Sequence, residues 1–158
     1  MLFAKGLGIA LLAACGLLGG WQLAIFERRK CRQAEGFVTL VRNVRLQIDC
    51  FGTPVSGILG ALDERIYAAL GTPCVPKDLN ELLEKTLLLV DTEYVELLHD
   101  FAASLGTGFR EEELRYCDSF LARLVPLAQK TRADLEKRTR LALILPPALS
   151  AALILLLC

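Results

Sequence analysis

One histidine, one tryptophan and one methionine serve the whole of this 158-residue chain, and aromatic residues make up only 7% of it. With His99 alone, neither an imidazole-rich metal site nor a histidine-based catalytic relay has its parts. General acid–base work needs a partner and a pocket, and His99 beside Asp100 on a helical stretch reads as a surface residue. The six cysteines, Cys15, Cys31, Cys50, Cys74, Cys117 and Cys158, contain no C-x-x-C pair. That spacing argues against a zinc site and, in a reducing compartment, against a disulfide framework. They read instead as small buried or membrane-embedded hydrophobes. Glycine-rich phosphate loops, H-E-x-x-H and a nucleophile elbow are missing too, and no run alternates as a strand would. The expectation is a protein that is not an enzyme, with no catalytic residue, no cofactor and no metal ligand.

Charge is missing from both ends. Gly6 to Phe26 and Leu141 to Cys158 carry no formally charged residue, and the chain is 54% hydrophobic with a mean hydropathy of +0.45. As helices, at about 1.5 Å per residue, these runs reach roughly 31 and 27 Å, near the thickness of a bilayer core. An intramembrane enzyme would need paired ionisable residues within them, and they hold none. Trp21 is suited to a headgroup-level anchor. Gly16, Gly19 and Gly20 would let another helix approach closely.

The net charge is zero, but its layout is uneven. Glu27 to Arg45 has six Lys/Arg and two acids; Asp49 to Asp118 has fourteen acids and five bases; Arg123 to Arg140 has six bases and two acids. Arg28, Arg29, Lys30 and Arg32 follow the first apolar run, and Lys137, Arg138 and Arg140 precede the second, against Lys5 alone on the far side. Short juxtamembrane clusters of this kind stay in the cytoplasm. The domain expectation is therefore a transmembrane helix over 1–26, a cytoplasmic helical bundle over 27–140 and a transmembrane helix over 141–158. Membrane lipid is one partner, each basic residue at an anionic leaflet adding about 1 kcal/mol. A competing reading takes "LAAC", Leu12 to Cys15, as a lipoprotein signal processed at Cys15; the apolar run that continues to Phe26 weighs against it.

Between the ends the spacing is helical. Phe37, Val41, Val44, Ile48 and Phe51 make a heptad seam. Gly52-Thr53-Pro54 then has the chemistry of a helix–helix turn: glycine after a helix end, threonine as a cap, proline in the first turn. A second helix presents Val55, Ile58, Leu59, Leu62 and Ile66 until Gly71 and two prolines. A third turns Leu79, Leu82, Leu83, Leu87 and Val90 inward. A fourth, capped at Asp91 or Thr92, carries Tyr94, Leu98, Phe101 and Leu105 up to Gly106 and Gly108. The last has Leu114, Cys117, Leu121, Leu124, Ala128, Thr131 and Leu135 on one face, with a kink expected before Pro126 and another at Pro146-Pro147. The fold class is all-α: an antiparallel helical bundle flanked by two transmembrane helices.

The acidic middle would steer a basic partner and repel nucleic acid, although solubility alone also accounts for it. Asp63, Glu64, Glu111 and Glu112 are the candidate partner surface. "REEEL", Arg110 to Leu114, is expected to be a solvated first turn favoured by the helix dipole.

"LQIDCFGTPVSGIL", Leu46 to Leu59, resembles the "EI-x-YG-x-TPL" segment of the stage III sporulation protein AB family. "FAASLG", Phe101 to Gly106, is similar to that family's "FG-x-TLG". Trp21, Glu27-Arg28 and the terminal Leu-rich run fall in matching places, so the resemblance spans essentially the whole chain. The sequence departs from the family at Phe51, Phe109, Glu113 and Pro146-Pro147. The resemblance implies a platform component of the channel complex joining mother cell and forespore during endospore formation, on the mother-cell membrane. Its cytoplasmic domain would be similar to the inner-membrane platform domain of type II secretion and type IV pilus machines. The implied partners are that complex's cytoplasmic secretion-type ATPase and its other membrane components. The alternative is a generic membrane-anchored helical adaptor.

Overall fold

The computed structural model describes residues 2–51, 55–72, 76–106 and 108–157. Every element in them is helical: α1 (Leu2–Phe51), α2 (Val55–Ile58), a 3-10 turn (Leu59–Ala61), α3 (Glu64–Leu70), α4 (Leu79–Lys85), α5 (Thr92–Ser104) and α6 (Arg110–Leu157). The all-α expectation holds. The chain forms two compact units, one of Lys30–Thr131 and one of the two arms Met1–Arg29 and Arg132–Cys158.

In the larger unit α1 and α6 run antiparallel. Arg45 meets Asp118, and Arg110, eight residues earlier on α6, reaches the carbonyls of Ile48 and Asp49, which lie later on α1. The seam expected on α1 is there, with Phe37, Val41, Val44 and Ile48 all buried. It is wider than a heptad stripe. Between Lys30 and Val41 only Arg32, Glu35 and Thr39 are exposed, because the short helices wrap this part of α1. Gly36 permits that: a Cβ there would lie 3.2 Å from Leu70 Cδ2 and 3.3 Å from Ala69 Cβ. Opposite, α6 buries Glu113, Cys117, Phe120, Leu124 and Ala128. The Phe101 and Phe120 rings meet at a tilt with centroids 4.8 Å apart, and Tyr116 joins them, tilted at 5.3 Å from Phe120 and stacked parallel to Phe101 at 6.1 Å. Side chains of this size each contribute about 1.5–3 kcal/mol when fully buried.

Two helices are shorter than their apolar spacing suggests. The stretch from Val55 to Ile66 is not one helix. It breaks at Leu62 (ψ 149°) and restarts after Asp63, whose side chain caps Arg65 N at 2.9 Å. An N-cap this strong competes with helix continuation. The helix from Leu79 stops at Lys85, and Thr86 turns extended while its hydroxyl bonds the Leu82 carbonyl. Leu87, expected inward, is therefore 78% exposed, while Val90 is buried. Gly71 (φ 81°) and Gly106 (φ 89°) end α3 and α5 in the left-handed region, where a side chain is strained. The Gly52-Thr53-Pro54 turn lies outside the described residues. α6 stays helical through Pro126 and Pro146-Pro147, with no unwinding at either.

A buried polar knot fastens the extended 86–91 segment to α1. Gln33, 3% exposed, donates to the carbonyls of Leu70 (3.0 Å) and Leu87 (2.9 Å) and accepts from Leu89 N at 2.7 Å. One turn earlier, buried Lys30 pairs with Asp91 at 2.5 Å. Tyr94 donates to the Ala34 carbonyl at 2.7 Å, and burial raises its phenol's pKa.

In the smaller unit the arms pack through small residues. Gly16 lies against Ser150 and Pro146, and Gly20 against Ala142 and Leu143. Glu27 pairs with Arg138 at 3.7 Å. As α1 ascends α6 descends, so the arms are antiparallel. Because Pro146 has no N–H, the Ala142 carbonyl lacks its helical donor, and this is the oxygen against which Gly20 sits. A Cβ on Gly20 would lie 2.7 Å from it.

Candidate functional site

The four acidic residues expected to form a partner surface lie at two helix starts. Asp63 is the N-cap of α3 and Glu64 its exposed first residue. Glu111 and Glu112 lie in the first turn of α6. Glu112 accepts from Phe109 N at 3.2 Å, and Glu111 forms a 4.0 Å pair with Arg115 in full exposure. These carboxylates thus have a local structural use, satisfying amides at the positive end of a helix. Among the described residues no hydrogen bond or ion pair joins the Asp63 group to the Glu111 group. Glu113 departs from the solvated turn expected of "REEEL". It is 6% exposed, and its Oε1 accepts from both Gly106 N and Gly108 N at 2.9 Å. It fastens the α5–α6 turn, leaving Oε2 buried with no partner among the described residues. Beside this turn Phe109 is 83% exposed.

A further acidic face was not singled out from the sequence. On α5, Glu93, Glu96 and Asp100 are all exposed on one side, His99 beside them, and no Lys or Arg occurs from Thr86 to Phe109. The signal was the 3-4 spacing of these acids, offset from the buried Tyr94, Leu97, Leu98 and Phe101. By contrast Asp118 is engaged: Arg45's hydrogen bond and charge hold its carboxyl below the usual range. Glu81 is likewise lowered, first by its bond to Lys85 and then by Lys77 N.

The cysteines divide. Cys31 and Cys117 are buried as expected, whereas Cys15 and Cys50 are exposed; Cys74 and Cys158 lie outside the described residues. Burial, then the charges of Glu113 and Asp118, push the Cys117 thiol up to about 11. Among the described residues no cluster of three or more His, Cys, Asp or Glu could hold a metal ion. An apolar cleft of about 350 Å³ lies between Val44, Ile58, Leu59, Leu79 and Leu105, with Lys77 and Asp78 also lining it.

In the arms small residues are buried and large apolar ones are exposed. Their contact buries Gly16 and Gly20 and Ala24 is buried too, whereas Leu17, Leu18, Trp21, Leu23, Ile144 and Leu149 are each more than half exposed. Among the described residues no helix is long and apolar enough to cross a membrane. The spans expected at 1–26 and 141–158 include residues 1–7, 9, 10, 12 and 153–158, whose side chains lie outside the described residues. Comparison with known proteins finds no matching family model, no matching curated protein and no matching solved structure.

Proposed function

We propose that this protein is a non-enzymatic, membrane-anchored helical platform: the two arms lie in lipid and the charged helical unit docks a cytoplasmic protein. The observation that carries the reading is the inverted packing of the arms. Large apolar side chains point outward and glycines inward, and a contiguous apolar surface of this kind needs a cover. Lipid covers it at no cost in exposed charge, since the described arm residues 8–26 and 141–152 hold no charged group. Close glycine-mediated approach is how helices associate where lipid surrounds them. The basic residues flanking both runs orient the helical unit toward the cytoplasm.

The resemblance in "LQIDCFGTPVSGIL" and "FAASLG" supports a narrower form of the reading. The platform would belong to the mother cell–forespore channel of endospore formation, docking its secretion-type ATPase beside the complex's other membrane components. The acids at Asp63, Glu64, Glu111 and Glu112 and on α5 support a basic docking partner. Co-purification of that ATPase with the full-length chain in mild detergent tests this. Charge reversal at Glu111 and Glu112 should weaken capture, and reversal at Glu93, Glu96 and Asp100 locates the contact if α5 provides it. Failure of the ATPase to co-purify would leave the generic membrane-anchored adaptor and remove the sporulation role.

A further inference from the structure

We propose that the base of the two arms is a binding collar for anionic phospholipid headgroups, built by Arg28, Arg29, Lys137 and Arg140. The proposal rests on the membrane reading above and adds a ligand class to it.

The collar follows from the arms' register. The Glu27–Arg138 pair at 3.7 Å puts these two positions at one height, so the cations around them share a level. Arg28 and Arg29 follow directly on α1, and Lys137 and Arg140 flank the pair on α6; all four are exposed. Arg138 is partly neutralised by Glu27, and that contact ties the two arms together at this height.

The apolar surface ends at the same level. Phe26 is 45% exposed and Leu141 57%, one or two residues from Arg28 and Arg140. At about 1.5 Å of rise per residue, the backbone positions of Arg28 and Arg140 lie within roughly 3 Å of the apolar edge along the helix axis. Long cationic side chains extend further along such a surface, to where lipid phosphates lie. Six Lys/Arg against three acids occupy 27–29 and 132–140, so the collar carries net positive charge. Arginine's planar fork matches phosphodiester oxygens bidentately, which a bulk surface potential does not require. The chemistry recognised is therefore a phosphodiester monoanion at an apolar boundary, as in phosphatidylglycerol.

The test uses full-length protein in neutral detergent, titrated with micelles containing phosphatidylglycerol or phosphatidylcholine, and separately with inorganic phosphate. Retained lipid is counted by native mass spectrometry and the thermal midpoint is followed in parallel. Phosphatidylglycerol should be retained at least about 10-fold more strongly than phosphatidylcholine, each cation supplying on the order of 5-fold. Inorganic phosphate should neither compete nor raise the midpoint. The Arg28→Gln/Arg29→Gln/Lys137→Gln/Arg140→Gln variant should lose the preference. If that variant loses its helical signal, Arg28→Lys/Arg29→Lys/Arg140→Lys is used instead, and its preference should fall steeply as salt rises. Equal retention of the two lipids, competition by inorganic phosphate, a preference that survives the quadruple substitution, or one insensitive to salt would each overturn the collar. Failure of the membrane reading looks different, because the chain would then stay dispersed without detergent or lipid.

Discussion

Replacing Gln33 by Leu should be among the most damaging changes in the helical unit, although it keeps side-chain volume and adds apolarity. Gln33 satisfies three backbone groups at once, the carbonyls of Leu70 and Leu87 and the N–H of Leu89. Gln33 itself is 3% exposed; its bond to Leu70 is buried, and those to Leu87 and Leu89 are partly buried. A hydrogen bond contributes about 1 kcal/mol net, and an orphaned buried group costs about 1–3 kcal/mol. Three such groups, some relaxing toward solvent, give a loss of roughly 3–5 kcal/mol. Against the 5–15 kcal/mol typical of a whole domain, that is a large fraction. At about 4–8 °C per kcal/mol for a unit of this size, the midpoint should fall by roughly 12 °C or more. The assay is thermal unfolding of the full-length protein in mild detergent followed by circular dichroism, with amide exchange read by mass spectrometry. The exposed Gln129→Leu is the control and should be silent. The damage should also be local: the Leu89 amide loses its acceptor, so exchange over 87–90 should accelerate before the global transition. A loss below about 1 kcal/mol with 87–90 still protected would refute the reasoning that this knot secures the segment.

The arms and the buried thiol give two further expectations. Gly20→Ala should weaken arm packing by about 1–3 kcal/mol, because its Cβ would meet the Ala142 carbonyl at 2.7 Å; Gly19→Ala, with open space around it, should be silent in the same detergent melt. At pH 8 a thiol probe should label Cys50 promptly and leave Cys117 untouched in the native protein. Since the folded Cys117 thiol titrates near 11 and an unfolded one near 9.0, the unfolded chain gives up this proton first. Stability from this group should therefore be intact below about pH 9 and decline from there to about pH 11; Cys117→Ala should abolish that component of the pH profile.

Much of the fold was legible because apolar spacing survives into packing. Phe37, Val41, Val44 and Ile48 were readable as a seam, as were Tyr94, Leu98 and Phe101 on α5 and Cys117, Leu124 and Ala128 on α6. The errors came where a short-range polar bond outcompeted that spacing. Asp63 capped α3 and so broke a helix whose apolar face was continuous, and Thr86 ended α4 and turned Leu87 outward. Gln33 was findable in principle: it lies four residues before Phe37 on the same face, where a polar residue in a seam signals a buried network. Glu113 was harder, since three successive glutamates look alike until the glycine turn folds back on one of them. The same distinction bears on the partner surface. Asp63 and Glu112 have local capping duties, whereas Glu93, Glu96 and Asp100 are exposed on one helix face, the more economical place to seek a docking contact.

The measurement closest to the central claim is the fate of the full-length chain when cells are broken and the membranes are stripped with alkaline carbonate. If lipid covers the outward-facing leucines of both arms, the protein sediments with the membranes and resists the wash, and a thiol probe confined to the outside of intact cells does not reach Cys50. Recovery of the intact chain in the supernatant would contradict the account, and labelling of Cys50 from outside would reverse its orientation.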